Sequence, residues 1–278
     1  MNRTRLSACV SAVLASALLP LAAPSAGGTT ETLEYVALGD SYASGVGIGE
    51  YYPESGDCKR SPKAYPALAA DRSGVDDFGF AACGGAVTTD VRTEQLDALS
   101  SGTDVVTVSV GGNDAGFASV VTSCVIGPDK SCDMAVDQAE TFATGQLPGL
   151  LTDTYAAIAE AAPKAEVIAV GYPRLFELGS CETVLSEFER QRLNDAADTL
   201  DEVIEQQARA AGFVFTGVRD SFAGHGACGA QPWINGLTSP ISESFHPNAM
   251  GHARGYLPEV TDSIRQVVSE RDQSSLAS

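Results

Sequence analysis

The sequence predicts an α/β protein, a parallel sheet with helices on both faces, and three observations carry that expectation. Short apolar runs recur at 35–38, 78–82, 104–110, 165–170 and 213–215, with helical stretches between them. The run 104–110, Asp-Val-Val-Thr-Val-Ser-Val, is largely β-branched, which suits a central strand. Three of the runs open into small turn formers: Gly39-Asp40-Ser41, Cys83-Gly84-Gly85-Ala86 and Gly111-Gly112-Asn113-Asp114. In a parallel sheet these strand ends share one edge, where open α/β folds place their ligand crevice.

The first 26 residues read as a secretory signal peptide, because Arg3 and Arg5 precede an apolar run and a small-residue stretch, Ala22-Ala23-Pro24-Ser25-Ala26. The apolar core, about fourteen residues, is short of the roughly twenty that a membrane span needs, and no later stretch is longer, so no stable membrane anchor is expected. Leu6-Ser7-Ala8-Cys9 has the look of a lipoprotein box, but it precedes the apolar segment instead of following it. Residues 27–278 are then expected to form one exported domain, long enough for a sizeable core.

The chain carries a net charge of −19, and the leader holds two arginines and no acid, so the remainder stands near −21. Such a surface repels phosphate backbones and argues against nucleic acid as a partner. Of seven cysteines, Cys9 falls in the leader. Cys58, Cys83, Cys124, Cys132, Cys181 and Cys228 remain, an even set in an oxidising compartment, and three disulfides are expected. Cys124 and Cys132 enclose a short segment and are expected to pair with each other. With no C-x-x-C spacing and three histidines in all, no metal site is expected, and no cofactor. The glycines at 45, 47 and 49 lack the third glycine of a dinucleotide fingerprint, since Glu50 stands in its place.

In chain order, the strand at 35–38 ends at Ser41, and residues 64–72 read as a short helix with Pro66 in its first turn. Residues 90–99 look helical, capped by Thr89 or Asp90. The composition turns helical again over 134–162, with breaks at Gly145 and Pro148-Gly149, and 187–211 reads as a long amphipathic helix. The stretch 220–244, rich in Gly, Pro and Ser, reads as a long loop of functional length. A final helix is expected over 248–270, with 272–278 fraying.

The chemistry gathers around Ser41. A serine hydroxyl is a weak nucleophile until a base takes its proton, so an imidazole must lie within hydrogen-bond reach. His246, in Glu243-Ser244-Phe245-His246-Pro247-Asn248, is the best placed; His225 sits between glycines and His252 inside the last helix. The second imidazole nitrogen needs an acceptor, which either Glu243 or a backbone carbonyl such as that of Ser244 could supply. An oxyanion formed at Ser41 needs preorganised donors, and the N–H groups of Ser41 and Gly85 with the side-chain amide of Asn113 are the natural trio.

Four blocks resemble the SGNH, or GDSL, hydrolases: Gly39-Asp40-Ser41; Gly85 in its Gly-Gly turn; Gly111-x-Asn113-Asp114; and His246-Pro247-Asn248 with Gly251-His252. The likeness is closest to the secreted lipases of that family from streptomycete-type actinobacteria. It implies a three-layer flavodoxin-like fold, a shallow site without a lid, and sequential pairing of Cys58 with Cys83, Cys124 with Cys132 and Cys181 with Cys228. Two places depart from the pattern. Tyr42 follows the serine where leucine is usual, and the family's usual aspartate three before the histidine is Glu243 here; some secreted members use a main-chain carbonyl instead.

Residues and resemblance together predict a secreted serine ester hydrolase, a lipase or esterase acting on acylglycerols or other fatty-acyl esters through an acyl-enzyme at Ser41. Phospholipase and carbohydrate acetylesterase are the alternatives on the same site. A binding protein that keeps the fold without turnover is the alternative outside the enzymes. Ser41 lies in G-x-S-x-A after the first strand, not in the G-x-S-x-G of α/β-hydrolases.

Overall fold

Five strands form the sheet in the computed structural model, which describes residues 32–276. They are β1 (Glu34–Gly39), β2 (Asp77–Phe80), β3 (Val105–Ser109), β4 (Glu166–Val170) and β5 (Val214–Thr216). Their spatial order is β2-β1-β3-β4-β5, and every neighbouring pair is parallel. The chain therefore steps outward from β1 to β2, then crosses back over β1 to β3 and continues the other way. That reversal opens a crevice between the carboxyl ends of β1 and β3, where Gly39 lies in register with Ser109.

The helices are α1 (Ser41–Ser44), α2 (Tyr65–Ser73), α3 (Thr88–Asp90), α4 (Phe117–Ile126), α5 (Asp129–Gly145), α6 (Leu147–Ala161), α7 (Glu187–Ala210) and α8 (Leu257–Leu276). α2 packs on α8 and both touch the sheet, while α6 and α7 pack together, with α5 spanning α4 and α7. Local chemistry sets the ends. α2 carries Pro66 in its first turn and stops at Gly74 in the left-handed region. Ser186 opens α7 by accepting from the Glu189 N–H, while the Glu189 side chain accepts from the Ser186 N–H. β3 is buried along its whole length, and where Tyr35 and Thr107 bring hydroxyls into the interior they bond each other at 2.8 Å.

Several boundaries differ from the sequence reading, each for a local reason. The helix expected over 90–99 begins at Thr88 and loosens into wide and 3₁₀ turns after Asp90. Asp90 caps from inside, its carboxylate accepting from the Val87 N–H at 3.0 Å. α4 went unpredicted: Phe-Ala-Ser-Val-Val-Thr-Ser-Cys-Val-Ile has no charge and is rich in β-branched residues, so it carries no helical signature. α5 starts at Asp129, ahead of the expected 134, so Cys124 and Cys132 close a helix–helix corner at Gly127-Pro128 and not a loop. Cys58 bonds Cys83 and Cys181 bonds Cys228. The last helix runs to Leu276, past the point at 272 where fraying was expected. The leader reading, 1–26, lies outside the described residues.

Candidate active site

The crevice is built first by Gly39. Its φ of +129° belongs to glycine, and a Cβ there would run into the Ser109 backbone, so no side chain could let β1 turn this close to β3. The amide of Gln95 clamps the turn, accepting from the Gly39 N–H at 2.8 Å and donating to the Gly39 carbonyl at 2.9 Å. Asp40 then caps α1, one carboxylate oxygen accepting from the Tyr42 N–H at 2.9 Å and the other from the Tyr172 hydroxyl at 2.5 Å. Burial raises the Asp40 carboxyl to about 7 against the opposing pull of those hydrogen bonds. Ser41 follows as the first residue of α1, 7% exposed.

His246 arrives from the opposite end of the chain. Asn235 holds the loop, donating its N–H to the His246 carbonyl at 2.9 Å and accepting from the Phe245 N–H at 3.1 Å. Phe245 takes a positive φ of +60°, uncommon for a bulky side chain, and is held there by the Tyr42 hydroxyl donating to its carbonyl at 2.8 Å. The imidazole consequently faces the serine: Nε2 lies 2.8 Å from Ser41 Oγ, and Nδ1 lies 3.0 Å from the Ser244 carbonyl oxygen. A carbonyl only accepts, so Nδ1 carries the proton and Nε2 accepts from the serine hydroxyl. Burial lowers the His246 pKa to about 4, opposed by the Ser244 carbonyl and the nearby Glu243 carboxylate, with Lys59 adding to the depression.

The two candidate acceptors for Nδ1 are thereby separated. The Ser244 carbonyl occupies the position, while the Glu243 carboxylate pairs with Lys59 Nζ at 3.5 Å and makes no hydrogen bond to His246. The other histidines lie elsewhere. His225 stacks on Trp233 at 3.7 Å with its Nδ1 on the Gln231 carbonyl. His252 is buried, its Nδ1 accepting from the Tyr65 N–H at 3.1 Å and its Nε2 unpartnered; burial lowers its pKa to about 3.

The three expected amide donors stand in the segments after β1, β2 and β3. Gly85, at φ +83°, turns after β2, and neither its N–H nor that of Ser41 has an acceptor among the described residues. Asn113 donates one amide hydrogen to the Ala86 carbonyl at 3.0 Å, which fixes the side chain and leaves the second hydrogen available. Asp114 anchors that loop, accepting from the Thr88 hydroxyl at 2.6 Å and the Thr88 N–H at 3.0 Å.

Ser41, Gly85, Asn113 and His246 line one cavity of about 500 Å³, walled on its apolar side by Phe117, Val121 and Val125 of α4. A second apolar cleft leaves Ser41 and Asn113 in the other direction, between Val120, Ala143, Leu193 and Leu200. Sequence reasoning missed Gln95, Asp40 and Tyr172. Asp40 and Tyr172 each follow a strand at the crevice edge and were within reach of that argument; nothing in the sequence marks Gln95.

A hydroxyl, an imidazole and a cluster of amide donors, at the carboxyl edge of a parallel sheet and open to apolar cavities, define the class: an α/β ester hydrolase. The chain belongs to the GDSL-like lipase/acylhydrolase family, which residues 37–254 match. It is 49% identical to Lipase 1 of Streptomyces coelicolor over 225 residues, 81% of this chain and 84% of that protein. It is 44% identical to a lipase of Streptomyces rimosus over 263 residues, 93% of this chain and 98% of the relative. The crystal structure of the extracellular lipase from Streptomyces rimosus superposes with a TM-score of 0.81 at 45% identity, and that of phospholipase A1 from Streptomyces albidoflavus with 0.81 at 44%. Each comparison covers 83% of this chain and 99% of the other.

Proposed function

We propose that the protein is a secreted lipase or esterase that cleaves fatty-acyl esters of the acylglycerol type, with Ser41 as nucleophile and His246 as general base. The observation that carries the assignment is the 2.8 Å contact between Ser41 Oγ and His246 Nε2, made across 205 positions of sequence at the mouth of an apolar cavity. As Oγ adds to the ester carbonyl carbon its proton passes to Nε2, and the carbonyl electron pair moves onto oxygen. The N–H groups of Ser41 and Gly85 and the free amide hydrogen of Asn113 receive that oxyanion. The Ser244 carbonyl accepts from Nδ1 and steadies the imidazolium in the orientation the reaction needs. Collapse breaks the ester C–O bond, His246 gives its proton to the departing alcohol, and water activated by the same base frees the acid from Ser41.

Export is supported by the leader-like residues 1–26, by the six cysteines held in disulfides and by the extracellular lipase it is similar to. The likeness to a phospholipase A1 favours a second reading, a phosphoglyceride as substrate, which the same nucleophile would cleave. The apolar walls of both cavities speak against a carbohydrate acetylester. The test is treatment of the folded protein with a fluorophosphonate followed by peptide mapping. The adduct is expected on Ser41 and to be lost in His246→Ala. An unmodified Ser41 in folded protein would make this chain a binding protein on a hydrolase fold. Parallel rates on diacylglycerol and phosphatidylcholine separate the two substrate readings.

A further inference from the structure

Among the described residues most large apolar side chains are buried, yet Ile126 is 80% exposed, Ile241 68% and Leu237 48%. All three stand on the rim of the cavity that holds Ser41 and His246. They come from two walls: Ile126 ends α4, while Leu237 and Ile241 belong to the loop that leads to His246. The two segments that bear them carry no charge, since α4 has no ionisable residue and 236–242 reads Gly-Leu-Thr-Ser-Pro-Ile-Ser, in a chain whose net charge is −19; the charged groups of the lining are Asp57 and Lys59, the latter paired with Glu243.

The outer face of α4 hides its polar atoms as well. Ala118, Thr122 and Ile126 recur at four-residue spacing and so share a face. The Thr122 hydroxyl donates to the Ala118 carbonyl at 2.7 Å and the Ser123 hydroxyl to the Ser119 carbonyl at 2.9 Å. With both hydroxyls satisfied inside the helix, this face can leave water without breaking a hydrogen bond. The rim is also braced. Cys124–Cys132 ties the end of α4 to α5, and Lys59 reaches Ser242 and Glu243 on the opposite wall.

We propose that this rim, Ile126 on one wall with Leu237 and Ile241 on the other, is a docking surface for an uncharged or zwitterionic lipid surface, and that it seats the cavity mouth on the lipid. The inference rests on the fatty-acyl-ester reading of the site. Its occupant follows from position and charge. These residues flank the opening of the proposed acyl site on two sides, exposed apolar side chains gathered at one mouth mark a binding face, and the acidic protein around it repels anionic surfaces. Docked, the rim buries its isoleucines in the acyl layer and lets a chain move from the bilayer into the cavity without crossing water.

The experiment measures sedimentation with phosphatidylcholine vesicles, using protein carrying Ser41→Ala so that the lipid is not consumed. Adding Ile126→Ser and Ile241→Ser is expected to weaken partitioning by about tenfold or more, since each isoleucine withdrawn from water contributes on the order of a tenfold preference. Val184→Ser, at an exposed apolar residue lining neither cavity, is expected to leave it unchanged. In a second arm, Ile126→Trp emission is expected to be quenched by brominated phosphatidylcholine. Equal partitioning of the double variant, equal weakening by Val184→Ser, or an unquenched Ile126→Trp would each overturn the proposal. So would a lipid-free dimer that the double variant dissociates, because the rim would then serve a second copy of the chain. Turnover of monomeric p-nitrophenyl butyrate by the wild-type protein reports on the ester-hydrolase reading separately and does not depend on docking.

Discussion

Replacing Glu243 by alanine separates two designs of this site. If the carboxylate oriented His246 as an aspartate does in a catalytic triad, its loss would cost roughly 10⁴ in kcat. The geometry predicts far less, because Nδ1 is held by the Ser244 carbonyl at 3.0 Å and Glu243 is engaged with Lys59 at 3.5 Å. An anion and a cation so close act on the imidazole as a dipole, with effects on His246 of opposite sign. Removing Glu243 alone unmasks the Lys59 charge. At an effective dielectric constant near 20 and taking a separation of roughly 10 Å, one unit charge acts on the imidazolium with about 1.7 kcal/mol. Glu243→Ala is therefore expected to lower kcat/KM on a soluble ester by about twentyfold or less, and Lys59→Ala to shift it the other way. The double variant should return toward wild type. Steady-state kinetics of the three variants decide the matter. A loss of about 10³ or more in Glu243→Ala, not restored by Lys59→Ala, would refute the carbonyl assignment.

Three further expectations follow from the same structure. Because burial holds His246 near 4, the base stays neutral well into acid, and kcat/KM should begin to fall only near pH 4 to 5 and not near 6.5. Stability should stay flat between about pH 4 and 6. The depressed pKa values of His246 and His252 add stability as pH rises toward 6.5, since the unfolded chain alone holds those protons. Asp40, raised to about 7, and Asp201, raised to about 6, remove it over the same range, the folded form holding theirs. A melting temperature climbing steeply from pH 4 to 6 would contradict that balance. Among the disulfides, Cys181–Cys228 spans 47 positions and Cys124–Cys132 only 8. Chain entropy makes the former's removal about 1.6 kcal/mol more destabilising, measured by denaturant unfolding of the paired serine variants.

What could be read from the chain and what could not divide along a physical line. The β-branched run of β3 and the turns at Ser41, Gly85 and Asn113 are local signals, since strand propensity and turn chemistry act within a few residues. They fixed the architecture and the residues now found at one edge. The acceptor for His246 was not local in that sense. Glu243 and Ser244 are adjacent, and only the fold decides that Lys59, 184 positions away, takes the carboxylate and leaves the carbonyl to the imidazole. Gln95 and Tyr172 belong to the same kind, meeting Gly39 and Asp40 across 56 and 132 positions.

The arrangement has a chemical consequence. A buried imidazole facing a carbonyl is a weaker base than one facing a carboxylate, because no full negative charge offsets the desolvation of its cation. On the proposed mechanism the site has less help from the base and draws more on oxyanion stabilisation, for which Ser41, Gly85 and Asn113 are the proposed donors. Gln95 fixes the turn that presents the Ser41 N–H, a left-handed glycine turns after β2 to present the second, and the Ala86 carbonyl holds the Asn113 amide. The Gln95 side chain sets the first, the backbone turn of Gly85 the second and the backbone after β2 the third, so preorganisation of the proposed oxyanion pocket is local to the sheet edge. The Tyr42 hydroxyl, donating to the Phe245 carbonyl, ties the nucleophile's helix to the loop of the base. On the proposed roles the nucleophile and its base are coupled through this bond, and a change that breaks it, such as Tyr42→Phe, should weaken turnover by loosening the Ser41–His246 contact.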